Sequence, residues 1–229
     1  MGYIKVIGNY TDDKGNSVKA PDSLKEVYVA FEGKNNKLII DENSKLIKTK
    51  IHYPNDEGYC KIGMNNENKS FMGQINVGFQ CKVVIEDDVT SQGSVYLTTA
   101  EKIKVTIGRD CMLSDQIQIR AEDSHAIYDI ESGNRINPSQ DIYIGNHVWI
   151  GYRSTILSGT IIRDGAVIGF GSVVKGSFSN NVILAGVPAK TVKKNVAWER
   201  PHLFHTRPWM KTHSSEVNQT IEFWNKTID

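Results

Sequence analysis

Cysteine is nearly absent from this 229-residue chain: Cys60, Cys81 and Cys111 are its only three. A set so small and scattered excludes a disulfide framework, and a reducing cytoplasm is the expected compartment. No apolar run approaches the length of a membrane span. The first residues, MGYIKVIGNYTDDKGN, hold no apolar block of the secretory kind, so the expected start is that of a mature protein. Charge of one sign is lacking too, since 27 basic residues stand against 26 acidic ones. A dedicated nucleic-acid binder carries a strongly basic face, and that class is set aside. Tripeptides starting at Asn68, Asn218 and Asn225 fit the glycosylation pattern, but without a leader they read as chance.

What is present is an ordinary globular composition, 39% hydrophobic and 23% charged, and a repeat. In IYIGNHVWIGYRSTILSGTIIRDGAVIGFGSVVKG, residues 142–176, a large aliphatic returns at every sixth place: Ile144, Ile150, Ile156, Ile162, Ile168 and Val174. A helix repeats near 3.6 residues and a half-buried strand near 2, so neither explains it. A period of six is one side of a solenoid coil. The fifth residues of the units are Val148, Ser154, Thr160, Ala166, Ser172 and Phe178, and glycine follows the aliphatic at Gly145, Gly151 and Gly169. The expected geometry points the aliphatic inward, sets the small residue at a corner, and uses glycine where φ is unusual. Three sides close a triangular prism whose coils pair at about 4.8 Å and bury one another's apolar faces.

The same phase appears upstream in Ile107, Leu113 and Ile119, in Val77-Gly78 with Cys81, and in Ile85 with Val89. Cys81 and Cys111 take the small-residue place, which favours corner filling over redox or metal chemistry. The expected fold is all-β: an opening segment, 1–37, that caps the prism; a parallel β-helix, 38–190, with a loop inserted at about 125–141; and an aromatic tail, 191–229. A short C-terminal α-helix is expected in SSEVNQTIEFWNKT, where Val217, Ile221 and Trp224 follow a cap-like serine at helical spacing. The tail's tryptophans are expected to pack on the prism or a neighbouring subunit, no basic cluster being read beside them.

Where the upstream run should place its next aliphatic stands His125, and RAEDSHAIYDIESGNRINPSQD leaves the repeat until Ile142. A loop thrown out of a rigid scaffold is where function concentrates. Asp123, Ser124, Tyr128 and Asp129 lie close in sequence. A histidine near a carboxylate is a candidate general base, and equally a polar loop residue.

IGNHVWIG and AVIGFGSVV, the SHAIYD segment before a looped insertion, and AGVPAK at 185–190 resemble the hexapeptide-repeat acyltransferases. DSHAIYD followed by INPSQDIYIGNHVWIG is most similar to bacterial capsule and lipopolysaccharide O-acetyltransferases, including those acting on sialic-acid polymers. The resemblance implies a left-handed coil, a homotrimer with active sites between subunits, acetyl-CoA as co-substrate and a saccharide acceptor. It implies His125 as base, oriented by Asp123, Asp129 or a backbone carbonyl, and the backbone N–H of Tyr152 as oxyanion donor, with no covalent intermediate. Gly151, Tyr152, Gly169 and Phe170 match the coenzyme groove, and Ser124, beside the base, is a further coenzyme-binding candidate. Trp149 matches the donor–acceptor junction or a subunit contact. Lys175 and Lys190 are candidates for the nucleotide phosphates. Asn137-Pro138 is expected to shape the loop. His147, at an outward place in its hexad, is expected at the surface or in the coenzyme groove. Zinc is set aside, since His125 and His147 lack a third ligand, His52 lying too far upstream. Two other readings stay open: a small acceptor (free sugar, serine, antibiotic or amino-sugar nucleotide), and a non-catalytic assembly module.

Overall fold

The six aliphatics of the strict repeat are each 1% exposed or less, so all of them point into one column of coils. The computed structural model describes residues 2–66 and 69–228. Asn68, from the first glycosylation pattern, and Met1 and Asp229, from the two end segments, lie outside the described residues.

Each side of the coil forms its own sheet. The first face runs through Val27–Phe31, Thr49–Tyr53, Gly73–Asn76, Val95–Thr98, Ile117–Arg120, Thr155–Leu157 and Val173–Val174. The second runs from Ser17–Lys19 and Lys37–Ile40 to Lys104–Ile107, Ile142–Ile144, Ile161–Ile162 and Ser177–Phe178. The third holds Thr90–Ser91, Met112–Leu113, Trp149–Ile150, Val167–Ile168 and Val182–Gly186. Parallel register stacks like on like: Ile75, Leu97, Ile119, Ile156 and Val174 form one inner row. Ile85, Ile107, Ile144 and Ile162 form a second, and Leu113, Ile150, Ile168 and Leu184 a third. Burying each such side chain is worth about 1.5–3 kcal/mol, and the neighbouring coil supplies the burial.

Coils differ in length, and the later ones are shorter. Asn36 stacks beside Gly58, 22 residues on, whereas Asn146 stacks beside Asp164, 18 residues on. The longer coils place their extra residues at the edge between the first and second faces. There Thr98 is followed by Lys104, against Leu157 followed by Ile161. The insertion between Arg120 and Ile142 leaves from that same edge, which is the variable one. Only the later coils keep three equal sides, which is why the hexad is plain after residue 142 and blurred before it.

Three expectations need correction. First, the prism does not begin at residue 38. Ser17–Lys19 and Val27–Phe31 already pair in parallel with the next coil, and at this end Ile4–Lys5 and Tyr10–Thr11 are the antiparallel cap. Second, the glycines directly after the aliphatic do not supply the unusual φ. It falls two residues later, on His147 and Arg153 at φ 51 and 58 and on Gly159, Gly165 and Gly171 at φ 80, 68 and 65. Glycine is needed because the next coil lies too close. A Cβ on Gly145 would sit 2.3 Å from Asp164 Oδ1, and one on Gly151 2.6 Å from the Ile168 carbonyl. Third, the tail forms two 3-10 turns, Ser214–Glu216 and Ile221–Phe223, in place of an α-helix. The cap is His213, whose ring accepts from Ser215 N–H while Glu216 accepts from His213 N–H. The chain then turns extended at Val217 so that Phe223 can reach the prism, where it is 3% exposed. Burial of that ring outweighs helical spacing.

The small-residue place behaves as expected: Val148, Ser154, Thr160, Ala166, Ser172 and Cys111 are fully buried. Burial pushes the Cys60 and Cys111 thiols up to about 12, which leaves them protonated and unreactive.

Candidate active site

His125 follows directly on the outward turn of the first face after Arg120, and its side chain is exposed. The insertion is a stiff hairpin. Ile136 N–H donates to the Ile127 carbonyl, Tyr128 bridges Arg135, and the Asp129 carboxylate accepts from Ser132 N–H and Oγ at 2.7 Å. Asn137 ties its base: Nδ2 donates to Asp123 Oδ2 (3.0 Å) and to the His125 carbonyl (2.9 Å), and Oδ1 accepts from Ile127 N–H (2.7 Å). Asp123 is thus bonded to Asn137, and Asp129 to the hairpin tip. Ser124 sits at φ 61 with its N–H on the Glu122 carboxylate.

The hairpin is also clipped to the coil beneath it. The Arg135 guanidinium engages both oxygens of Glu101, and Ser139 N–H adds a bond of 2.9 Å. The Arg135 and Ser139 hydrogen bonds hold the Glu101 carboxyl down at about 2 against the small opposing effect of burial. Nothing in the local sequence marked this clip. Glu101 becomes visible only once the longer coils are seen to project at this edge.

A second group of candidates stands elsewhere. Trp149 lies outward on the third face, between Met112 and Val167 in register. The corner after it, Gly151 to Ser154, leads to the edge between the third and first faces. Here the Tyr152 and Phe170 rings stack at 5.3 Å, and the Arg153 guanidinium lies 5.0 Å from the Tyr152 ring centroid. Gly171 N–H donates to the Tyr152 carbonyl. Among the described residues no acceptor takes the Tyr152 N–H. Gly151 and Gly169 stack at this corner, and the missing Cβ atoms let the coils close. Gly151→Ala is expected to cost about 1–3 kcal/mol, because its methyl meets backbone rather than a movable side chain. Urea unfolding of the variant would read this directly; an unchanged midpoint would refute the close-packing argument.

The other candidates scatter. Lys175 is exposed at the same edge as the hairpin, and Lys190 is exposed in Ala189–Lys194, which turns back antiparallel on Val182–Gly186. His147 is the clear departure from expectation. It occupies the edge between the second and third faces, but the tail covers it, leaving it 1% exposed. Its ring is sandwiched between Trp198 (4.0 Å) and Phe223 (4.5 Å). Nδ1 lies 2.6 Å from Asp110 Oδ2, and Nε2 lies 3.0 Å from the Trp198 carbonyl. Arg200 completes this clasp, with Nε on Asp110 Oδ1 (2.6 Å) and its terminal nitrogens on Thr90, Asp88 and Cys111. A histidine held on both nitrogens and both ring faces is a structural post and does not line a groove. Among the described residues no group of three or more His, Cys, Asp or Glu could hold a metal ion, and no helix is long and apolar enough to cross a membrane.

One chain therefore holds the imidazole and the aromatic corner on different edges of the prism. Against known families, residues 141–176 match the bacterial transferase hexapeptide (six repeats) model. A polysialic acid O-acetyltransferase of Neisseria meningitidis is 38% identical over 175 residues, covering 76% of this chain and 80% of that one. A polysialic acid O-acetyltransferase of Escherichia coli O1:K1 / APEC is 38% identical over 142 residues, 62% of this chain and 45% of that longer protein. The crystal structure of the polySia-specific acetyltransferase NeuO superposes with a TM-score of 0.72 at 31% identity, covering 89% of this chain and 95% of that one. That of the polysialic acid O-acetyltransferase OatWY gives 0.61 at 32%, covering 86% and 84%. With a relative 38% identical over 76% of its length, the chain belongs to the bacterial hexapeptide-repeat acyltransferases and has their left-handed parallel β-helix.

Proposed function

We propose that this chain is an acetyl-CoA-dependent O-acetyltransferase that modifies a hydroxyl of a bacterial surface polysaccharide. The observation that carries the reading is the isolation of His125. It is an exposed imidazole on a braced hairpin at one edge, while Trp149, Tyr152 and Phe170 stand at another. Each edge is half a site. Copies of the chain arranged side by side about a threefold axis join the halves, so the reading requires a homotrimer with active sites between subunits. Exposed Ile127, Tyr128, Ile130 and Ile136 on the hairpin suit burial against such a neighbour. Polysialic acid, named as acceptor of two similar proteins, supports a polysaccharide over a small acceptor.

In this mechanism a ring nitrogen of His125 takes the sugar hydroxyl proton as the oxygen attacks the thioester carbon. The carbonyl oxygen becomes an oxyanion, which the Tyr152 N–H stabilises. The C–S bond then breaks, and the proton passes from the imidazole to the thiolate, giving an acetyl ester and a free thiol. Transfer is direct, since all three cysteines are buried. The stacked Gly151 and Gly169 corner leaves room for the pantetheine arm, Ser124 flanks the base, and Lys175 and Lys190 are the cations for the nucleotide phosphates. Acetyl-CoA is a cytoplasmic metabolite, and the reading places the activity there.

Radiolabelled acetyl-CoA offered with surface polysaccharides, monosaccharides and amines tests the proposal. Label is expected in polysaccharide, as base-labile ester. Label confined to monosaccharides or amines rejects the acceptor class, and none anywhere favours an assembly module.

A further inference from the structure

Between Glu199 and Glu216 the chain carries no acidic residue, but it has Arg200, His202, His205, Arg207, Lys211 and His213. With Arg200 paired to Asp110, the cations of this stretch are Arg207 and Lys211, and no carboxylate stands between them in the sequence. The same stretch exposes Phe204 by 81%, Trp209 by 53% and Met210 by 82%. It is nonetheless ordered on itself. Thr206 Oγ1 donates to the His202 carbonyl (2.6 Å), and Lys211 Nζ donates to the Thr206 carbonyl (2.6 Å) and Oγ1 (2.9 Å). The His202 ring lies 5.0 Å from Phe204, and the Arg207 guanidinium lies 5.6 Å from the Trp209 ring centroid. One end is anchored by Arg200 in the clasp, and the other runs into the capped turn at His213. The arm is thus a projecting loop packed on its own side chains.

Its root matters. Trp198, two residues before Arg200, packs at 5.9 Å against Trp149, the residue matched to the donor–acceptor junction. The arm thus springs from beside the site, on the same face. Aromatic rings offer flat apolar area to the C–H faces of sugar rings, and neighbouring cations offer long-range attraction to carboxylates. We propose that residues 201–211 form a remote acceptor subsite that holds an anionic saccharide chain, so that long acidic polymers are preferred over short or neutral ones. This deepens the polysaccharide reading and rests on it. A nucleic acid also combines negative charge with stacking rings, but the similar enzymes are named for an acidic polysaccharide, so that occupant is the one argued for.

The test uses the full-length chain with acetyl-CoA and three acceptors: a disialic fragment, a long oligosialic chain, and a neutral polysaccharide. The variants are Phe204→Ala/Trp209→Ala and Arg207→Gln. The expected result is a KM for the long acidic chain raised about tenfold by the double variant, as losing one aromatic anchor worth about 1.4 kcal/mol would do. The kcat, and all constants for the disialic fragment, stay as in the parent. Arg207→Gln is expected to weaken the salt dependence of that KM. An unchanged KM for the long chain overturns the subsite. So does dissociation of the variant's assembly in sedimentation, which would make the arm a subunit contact. So does inhibition of the parent by single-stranded DNA that the double variant escapes while its KM for the oligosialic chain stays unchanged. Transfer by the parent to the neutral polysaccharide alone also overturns the anionic subsite but keeps the polysaccharide reading, whereas transfer to small acceptors alone removes that reading itself.

Discussion

His125→Ala is expected to lower kcat for acetyl transfer by about 10²–10⁴ while the chain stays folded and assembled, the range general-base assistance supplies. The side chain is exposed on the hairpin, and exposed substitutions away from special backbone geometry change stability by about 0.5 kcal/mol or less. The hairpin does not depend on the imidazole. Asn137 bonds the His125 carbonyl, which alanine keeps, and the Arg135–Glu101 clip lies further along. Loss of rate without loss of fold is therefore a clean signature. Thermal shift by coenzyme A should persist, because the donor corner is on another edge. Full rate in a stable His125→Ala assembly would remove the base assignment and leave Tyr152 without a partner in the mechanism. The expected loss exceeds that from any single groove contact, since no other exposed imidazole is presented by the hairpin.

Much of the prism was legible in the sequence because a solenoid writes its geometry locally. Ile144 to Val174 announce the inward rows, and Val148 to Ser172 the corners, within the single stretch 142–176. The break at His125 was legible for the same reason, as a missing aliphatic in an otherwise regular row. What failed was long-range. His147 looked outward on its own coil, and it is, but Trp198 and Phe223 arrive from a distant segment to cover it. The glycine rule failed in its reason, not its position. Close approach of the next coil is a property of two coils, and a single hexad cannot show it. The start of the prism was blurred by coils of 22 residues, whose extra length hides the six-residue beat.

Asp110→Ala is expected to destabilise the protein by about 3 kcal/mol, the lower end of what breaking a buried ion pair costs. The lower end applies because the Asp110 side chain keeps 20% of its exposure. Arg200 retains three neutral acceptors, so it is not stranded. The pH dependence gives the sharper test. Burial pushes the Asp110 carboxyl up, but the His147 hydrogen bond and the Arg200 charge and hydrogen bond outweigh it and hold the group at about 2, below the usual 3.8. A carboxylate depressed by folding stabilises the native state at every pH above its ordinary value. That contribution falls away as the pH drops through 3.8 towards about 2. Urea midpoints of parent and variant should therefore differ fully at neutral pH and converge in that acid window. Hydrogen exchange should show where the loss occurs: the Trp198 indole N–H, which donates to the His147 carbonyl at 2.9 Å, should exchange first. Because Trp198 also braces Trp149, loosening the clasp should lower transferase activity without touching the hairpin or its imidazole. A gap between parent and variant that stayed constant down to pH 2 would mean that the tail is held by ring stacking alone and that the Asp110 charge contributes nothing.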